Sequence, residues 1–83
     1  MLNMRVTIVK QDETVTKDGV SHIEIDMSDL PNNVHAIQWY DTVGDVEYID
    51  ETQSEIVHIR NEEITDFSPY QKYVDACNDE NRA

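Results

Sequence analysis

The 83-residue chain has 18 acidic and 6 basic residues, which gives a net charge of −12 at pH 7. This charge repels the phosphates of nucleic acids and of anionic membranes, so it argues against direct DNA or RNA binding and against a membrane protein. A single cysteine, Cys77, excludes an internal disulfide and a cysteine-rich zinc site. No apolar run approaches the roughly 20 residues that span a bilayer.

The length of the chain predicts one domain over residues 1–83, with a core that is small for its surface and a stability that is marginal. Hydrophobic residues make up 39% of the chain, which is enough for one modest core. Because association adds stability to such a domain, we expect a complex or a homo-oligomer. The first residues lack the long apolar stretch of a signal peptide, so we expect a cytoplasmic protein.

The N-terminal part of the chain predicts a strand followed by a hairpin. Apolar residues alternate over residues 4–10, which is typical of a strand with one face in the core. Residues 15–16 and 20–27 then flank Lys17-Asp18-Gly19, where Asp-Gly supplies the positive φ angles of a tight turn. Residues 28–33 contain turn-forming side chains and one apolar residue, Leu30, which we expect to close the end of the sheet. The second arm of the hairpin is expected to turn three apolar residues to one face: Ile23, Ile25 and Met27.

Residues 35–50 contain the clearest strand–turn–strand signal. Residues 34–40 and 46–49 each divide into two alternating sets, one for each face of a sheet, and residues 41–44 offer the turn. We therefore predict a central hairpin. Trp39, the only tryptophan, is expected to anchor the core because an aromatic side chain buries roughly 150–250 Å².

The C-terminal part predicts one more strand and a helix. The strand is expected over residues 55–60, and residues 61–66 are expected to be acidic and exposed apart from Ile64. Ser68 and Gln71 have the spacing of a capping box, and Pro69 suits the first helical position. The helix of about ten to twelve residues should bury one apolar stripe, and residues 78–83 should form a frayed tail. The stripe consists of Tyr70, Tyr73, Val74 and Cys77. Together these elements predict an α+β fold, a small antiparallel sheet of about five or six strands packed by one C-terminal helix.

No motif for catalysis or for metal binding is apparent. The three histidines, His22, His35 and His58, lack the paired spacing of a metal site, and the acidic pairs lack the pattern of a calcium loop. Two isolated glycines exclude a glycine-rich phosphate loop, and Cys77 lies on an apolar stripe. We predict no catalytic residue, no metal, no cofactor and no enzymatic activity.

Binding to another protein is the remaining interpretation. Tyrosine and tryptophan are enriched where proteins bind each other, and the chain has many aromatics for a small core. The alternative is that these rings simply form the core, which is favoured for Trp39, Tyr73 and Phe67. The residues that we predict to contact a partner are Trp39, Tyr40, Tyr48, Tyr70 and Glu47.

His35-Ala36-Ile37-Gln38-Trp39 and Gly44-Asp45-Val46-Glu47-Tyr48 together resemble a family of small phage-encoded proteins with an HA-x-QW … G-x-(I/V)-E-(F/Y) core. Residues 25–31, 61–65 and 67–76 are similar to further segments of that family. Members with an assignment are associated with tail or tail-fibre genes. The resemblance implies a non-enzymatic protein that is made in the host cytoplasm and binds a tail or tail-fibre protein. It would act as an assembly chaperone or as a small virion component of the tail.

A rival hypothesis is an anti-defence inhibitor that imitates DNA. It would present an ordered double row of carboxylates to a basic nucleic-acid-binding protein, and this binding would weaken steeply with salt. A third interpretation is a structural domain without a stable partner. The densest carboxylate set for DNA mimicry is Asp41, Asp45, Glu47, Asp50, Glu51 and Glu55.

Overall fold

The computed structural model describes residues 4–81 of the chain, with side chains up to Cys77. Six strands form one antiparallel sheet in the order β3-β2-β1-β4-β5-β6, and a short 3₁₀ turn leads into the C-terminal helix. The predicted α+β fold is thus confirmed. The elements are β1 (Arg5–Val9), β2 (Thr14–Lys17), β3 (Val20–His22), β4 (Val34–Tyr40), β5 (Val43–Ile49), β6 (His58–Ile64), the 3₁₀ turn (Ser68–Tyr70) and α1 (Gln71–Asn81).

The core lies between one face of the sheet and helix α1. Ile37 on β4 faces Ile8 on β1 and Val46 on β5, and all three are almost completely buried. Trp39 faces Val6 in the next layer. The alternating apolar residues of β1 and β4 thus mark the face of each strand that is removed from water.

The helix buries the stripe that its sequence predicts. Tyr73, Val74 and Cys77 are buried, and Tyr70 is half-buried at the start of the stripe. Phe67 precedes the helix and stacks at a tilt on Trp39, with 5.2 Å between the ring centroids. The helical backbone continues to Asn81, while the frayed tail expected at 78–83 falls on side chains outside those described and stays a prediction.

The capping box predicted for the helix start is wrong. The Ser68 amide donates to Asp66 Oδ1 at 2.9 Å, and residue 67 caps the 3₁₀ turn without a side-chain bond. The Gln71 amide instead donates to the backbone oxygen of Ser68. Because residues 68–70 form a 3₁₀ turn, the Gln71 amide already has a backbone acceptor and needs no serine side chain. Pro69 lies in this first turn, as predicted.

The second arm of the first hairpin is shorter than predicted. Strand β3 ends at His22, because Glu24 adopts a left-handed backbone with φ of 61° and the Ile25 amide donates to the carbonyl of Glu13 at 2.9 Å. The alternation therefore breaks, and Ile23 is exposed although Ile25 and Met27 are buried. Leu30 is buried at 7% exposure, as expected for the residue that closes the sheet.

The turn of the central hairpin is shorter than the predicted turn over residues 41–44. Only Asp41 and Thr42 form the turn, with Asp41 at a φ of 59°, and Gly44 lies inside β5 directly opposite Trp39. A Cβ atom on residue 44 would lie 2.1 Å from the Gln38 oxygen. Gly44 is therefore needed for close packing of the strands rather than for the turn.

The last strand also differs from its prediction. Strand β6 covers residues 58–64 rather than 55–60, so residues 61–64 also belong to the sheet. Its acidic residues, Glu62 and Glu63, are nevertheless exposed as expected, because β6 is the outermost strand. Paired backbone groups explain how a polar segment can become a strand without burying its side chains.

Asp29 connects the loop before β4 to helix α1. It forms an ion pair with Lys72 and accepts a hydrogen bond from the Tyr73 hydroxyl at 2.7 Å. These bonds, from Lys72 first and then Tyr73, hold the pKa of Asp29 below the ordinary aspartate value of 3.8. Burial and the neighbouring Asp29 raise the pKa of the Tyr73 hydroxyl.

The depressed pKa of Asp29 predicts an acid-sensitive contribution to stability. A carboxyl whose pKa is lower in the folded state stabilises the fold above its unfolded pKa, and this contribution disappears as the pH falls through the folded pKa. We expect Asp29→Asn to be less stable than the parent chain at pH 7 and to show a smaller difference at about pH 3, because that pH is below the ordinary aspartate pKa of 3.8. Urea unfolding of both proteins at the two pH values measures this difference. An unchanged gap at both pH values would contradict the role of the Asp29 charge.

Candidate functional site

The face of the sheet opposite helix α1, which we term the open face, is mainly polar. Side chains alternate along each strand, so the neighbours of the core residues point to this side. None of its polar or tyrosine side chains is buried. Its apolar residues are Val9, Ala36 and Val43. Its polar and tyrosine residues are Arg5, Thr7, Thr14, Thr16, Ser21, Gln38, Tyr40, Asp45, Glu47, Asn61 and Glu63.

A row of hydrogen bonds orders the middle of the open face. The Thr7 hydroxyl donates to Gln38 Oε1 at 2.9 Å, and Gln38 Nε2 donates to Glu47 Oε2 at 3.2 Å. The row crosses three adjacent strands, from β1 through β4 to β5. It holds the Glu47 carboxylate in a defined position on a rigid support, which favours binding because less side-chain entropy is lost.

Two carboxylates face each other beside this row. Asp45 on β5 is directly opposite Glu63 on β6. Like charges in such cross-strand positions destabilise a sheet. The ion pairs among residues 4–77 join Arg60 to Glu62 and Lys72 to Asp29, so neither of them neutralises this pair. The pair therefore offers two neighbouring carboxylates to a positive charge.

A shallow depression with a volume of about 360 Å³ lies at the hairpin end of the open face. Arg5, Tyr40, Asp45 and Glu63 are among the residues that line it. The Tyr40 side chain is 53% exposed, which is high for an aromatic residue in a strand. The site thus combines an exposed ring with carboxylates that can accept hydrogen bonds from a cation.

The structure divides the five predicted partner-binding residues between two faces. Tyr40 and Glu47 lie on the open face, whereas Trp39, Tyr48 and Tyr70 lie on the helix side. Trp39 is 6% exposed and belongs to the core. The five residues are therefore not brought together in one surface.

Tyr48 and Tyr70, on the helix side of the sheet, lie next to the outer strand β6. The Arg60 guanidinium is placed over the Tyr48 ring, 4.3 Å from its centroid. Tyr70 is half-buried close by, and burial, followed by the charges of Tyr48 and Glu62, raises the pKa of its hydroxyl. The arginine covers one face of the Tyr48 ring, so part of this ring already has a partner within the chain.

The carboxylates considered for DNA mimicry follow β5 from end to end. Asp41 lies in the hairpin turn, Asp45 and Glu47 lie on the open face, and the remaining residues lie in the connection to β6. On β6, Glu63 is next to Asp45, but Asn61 occupies the position opposite Glu47. The remaining residues of the set are Asp50, Glu51 and Glu55.

Sequence reasoning did not identify the Asp45–Glu63 pair. Glu63 follows the strand that the sequence predicts over residues 55–60, and the two residues are 18 positions apart, so only the register of β5 and β6 brings them together. The alternation of β4 did contain one useful signal. Because neighbours in a strand point to opposite faces, Trp39 and Tyr40 could have been assigned to different surfaces from the sequence.

The histidines have separate environments. The His35 ring donates from Nδ1 to Gln11 Oε1, and the His58 ring bonds the side chain of Asn61, while His22 lies on the opposite edge of the sheet from His58. Within residues 4–77, no group of three or more His, Cys, Asp or Glu side chains is placed to hold a metal ion. The one α-helix that the structure describes is too short and too polar to cross a membrane.

Comparison of the chain with protein-family models, with curated proteins and with solved structures gives no match.

Proposed function

We propose that the protein is a non-enzymatic binding module that holds a basic segment of a phage tail or tail-fibre protein on its open face. The observation on which this proposal depends is the facing pair Asp45–Glu63, which forms no ion pair within residues 4–77 and lies beside the exposed ring of Tyr40. Such a module would serve as an assembly chaperone or as a small virion component.

The electrostatics of the open face support a basic partner. A lysine or arginine between Asp45 and Glu63 would remove their mutual repulsion and gain charge-assisted hydrogen bonds. The net charge of −12 would in addition increase the rate of encounter with a basic surface. The Tyr40 ring can cover the aliphatic part of the same side chain or stack on a guanidinium.

The choice of a phage tail partner depends on the resemblance of two sequence motifs to small phage-encoded proteins. His35 to Trp39 and Gly44 to Tyr48, which carry this similarity, form the two strands of the central hairpin. They therefore shape both the core anchor and the open face. A partner made in the same host cytoplasm could be shielded from premature association while it docks or trimerises.

A binding assay with charge-neutral variants tests the proposal. Purified tail and tail-fibre proteins of the phage that encodes the chain are titrated against the parent chain and against two variants, Tyr40→Ala and the double variant Asp45→Asn with Glu63→Gln. We expect each variant to bind at least about tenfold more weakly, because each removes a central contact.

A matched control is the double variant Glu51→Gln with Glu55→Gln, which removes two carboxylates from the exposed β5–β6 connection. Its affinity should stay within about threefold of the parent chain, because it changes only the long-range field. Equal losses in the control and in the open-face variant would show that net charge alone governs binding. Absence of binding to every tail protein would refute the proposed partner.

The second candidate, an anti-defence inhibitor that imitates DNA, is favoured by the same carboxylates. Asp45 and Glu47 on β5 and Glu63 on β6 lie on one face in adjacent strands. This candidate predicts binding to a basic nucleic-acid-binding protein that competes with DNA. Its affinity should fall by orders of magnitude between about 50 and 200 mM salt, whereas docking of one basic side chain at Asp45, Glu63 and Tyr40 involves few charges and should change less.

A further inference from the structure

Strand β6 leaves one long edge of the sheet unpaired among residues 4–81. It pairs with β5 on one side and is the terminal strand of the sheet. It has seven residues, and those from His58 to Glu63 are exposed, whereas the strand at the opposite edge has three residues. Long exposed edges recruit further strands, so proteins rarely leave them uncovered without a purpose.

The backbone pattern identifies which residues of β6 point outward. The Asp41 amide donates to the carbonyl of Met4, and the Lys10 amide donates to the carbonyl of His35. Odd-numbered residues of β4 therefore bond towards β1, and its even-numbered residues bond towards β5. By the same alternation, odd-numbered residues of β5 bond towards β4, and its even-numbered residues bond towards the even-numbered residues of β6. The N–H and C=O groups of Asn61 and Glu63 therefore point away from the sheet.

We propose that β6 pairs with β6 of a second copy of this chain, antiparallel about a twofold axis at Asn61. The two sheets then join into one continuous sheet. In this register Arg60 faces Glu62 of the second copy, and the same pair recurs on the other side of the axis. Asn61 faces its own counterpart, and their outward backbone groups bond each other.

Charge selects this register over its neighbours. Arg60 and Glu62 lie on the same face of the strand, and their side chains are 56% and 58% exposed. A shift of the axis by one residue would place Arg60 opposite Arg60, or Glu62 opposite Glu62. Like charges in facing positions are unfavourable, so the strand is complementary to itself in one symmetrical register around its centre.

Arg60 is already oriented for this contact. It lies over the Tyr48 ring and within 3.9 Å of Glu62 in its own chain. A side chain held in this way loses less entropy when it meets a second carboxylate. The dimer would also place two open faces side by side. A partner with repeated binding sites would then bind more tightly through avidity, a property that the proposed function does not include.

Charge reversal and charge exchange test the pairing. Analytical ultracentrifugation of the full chain from micromolar to millimolar concentration, at 150 mM salt, gives the dimer dissociation constant. We expect Glu62→Arg and Arg60→Glu each to raise this constant about tenfold, because each replaces two attractive pairs with two repulsive pairs. The combined variant, Arg60→Glu with Glu62→Arg, should restore it to within about threefold.

The control is Glu55→Arg, which changes the net charge as much as Glu62→Arg but lies outside β6. It should leave dimerisation unchanged or strengthen it, because it reduces the repulsion between two chains of net charge −12. Weaker dimerisation by Glu62→Arg, in spite of its lower net charge, therefore indicates the specific pair.

Asn61→Pro provides a second test. It removes an outward N–H without removing a bond to β5, and proline is tolerated at edge strands. We expect this variant to be monomeric with an unfolding transition close to that of the parent chain. In the parent chain, the amides of Asn61 and Glu63 should exchange more slowly at high concentration than at low concentration, because the dimer would protect them. A parent chain that stays monomeric at millimolar concentration, or a dimer that none of these substitutions weakens, would overturn the proposal.

Discussion

Replacing Trp39 with alanine should remove a large part of the stability of the fold. The ring is 6% exposed, faces Val6 across the sheet and stacks on Phe67. Truncation of a buried aromatic side chain costs about 3–5 kcal/mol. A domain of this length is stable by roughly 4–12 kcal/mol, so the loss takes a large part of the total. Urea unfolding followed by circular dichroism measures the change.

Trp39→Phe is the matched variant. It keeps an aromatic ring against Phe67, and it removes an indole N–H that is buried without a hydrogen-bond partner among the described residues. We expect a loss of about 1–2 kcal/mol, since the smaller ring leaves some space unfilled while the unsatisfied donor disappears. If Trp39→Ala proved as stable as Trp39→Phe, the ring could not be the anchor of the core.

Gly44→Ala should be the second severe substitution. The added Cβ would lie 2.1 Å from the backbone oxygen of Gln38 and 2.9 Å from Trp39 Cε3. Both neighbours belong to the centre of the sheet, so relief requires displacement of a strand or of the anchor ring. We expect a loss of at least about 3 kcal/mol in the free energy of unfolding, measured by urea denaturation.

Gly19→Ala separates steric overlap from backbone strain. Gly19 has a φ of 86° in the first hairpin turn, and no atom lies within 4 Å of an added Cβ. Its replacement should cost only about 1–2 kcal/mol, the penalty of a left-handed conformation for a residue with a Cβ. Equal effects of the two alanine substitutions would contradict the crowded packing around Gly44.

The elements with strong local signals agree with the structure. Alternation placed the strands that contain Val6, Ile37 and Trp39, and the helical stripe with Tyr73 and Val74 is buried. In each case the signal repeats over several residues and reflects a single buried face. The helix start was less predictable, because Asp66 and Ser68 offer competing caps and small differences in hydrogen bonding decide between them.

The candidate site was only partly predictable for a related reason. Tyr40 and Glu47 were selected as aromatic and acidic contact residues, and the structure places both on the open face. The remaining aromatic contacts were grouped with them by composition, although Tyr48 is next to Glu47 in the strand and so points to the other face. The facing pair Asp45–Glu63 depends on two strands that are joined by a long connection.

The order of residues alone determined the charge of the surface, the alternation of the strands and the apolar stripe of the helix. Each of these properties follows from the composition of the chain or from the spacing of residues within a few positions. Tertiary structure decided the strand order, the register and the choice of β6 as the outer strand. It did so because pairing joins distant segments, and a turn or a left-handed residue such as Asp41 or Glu24 shifts every contact beyond it.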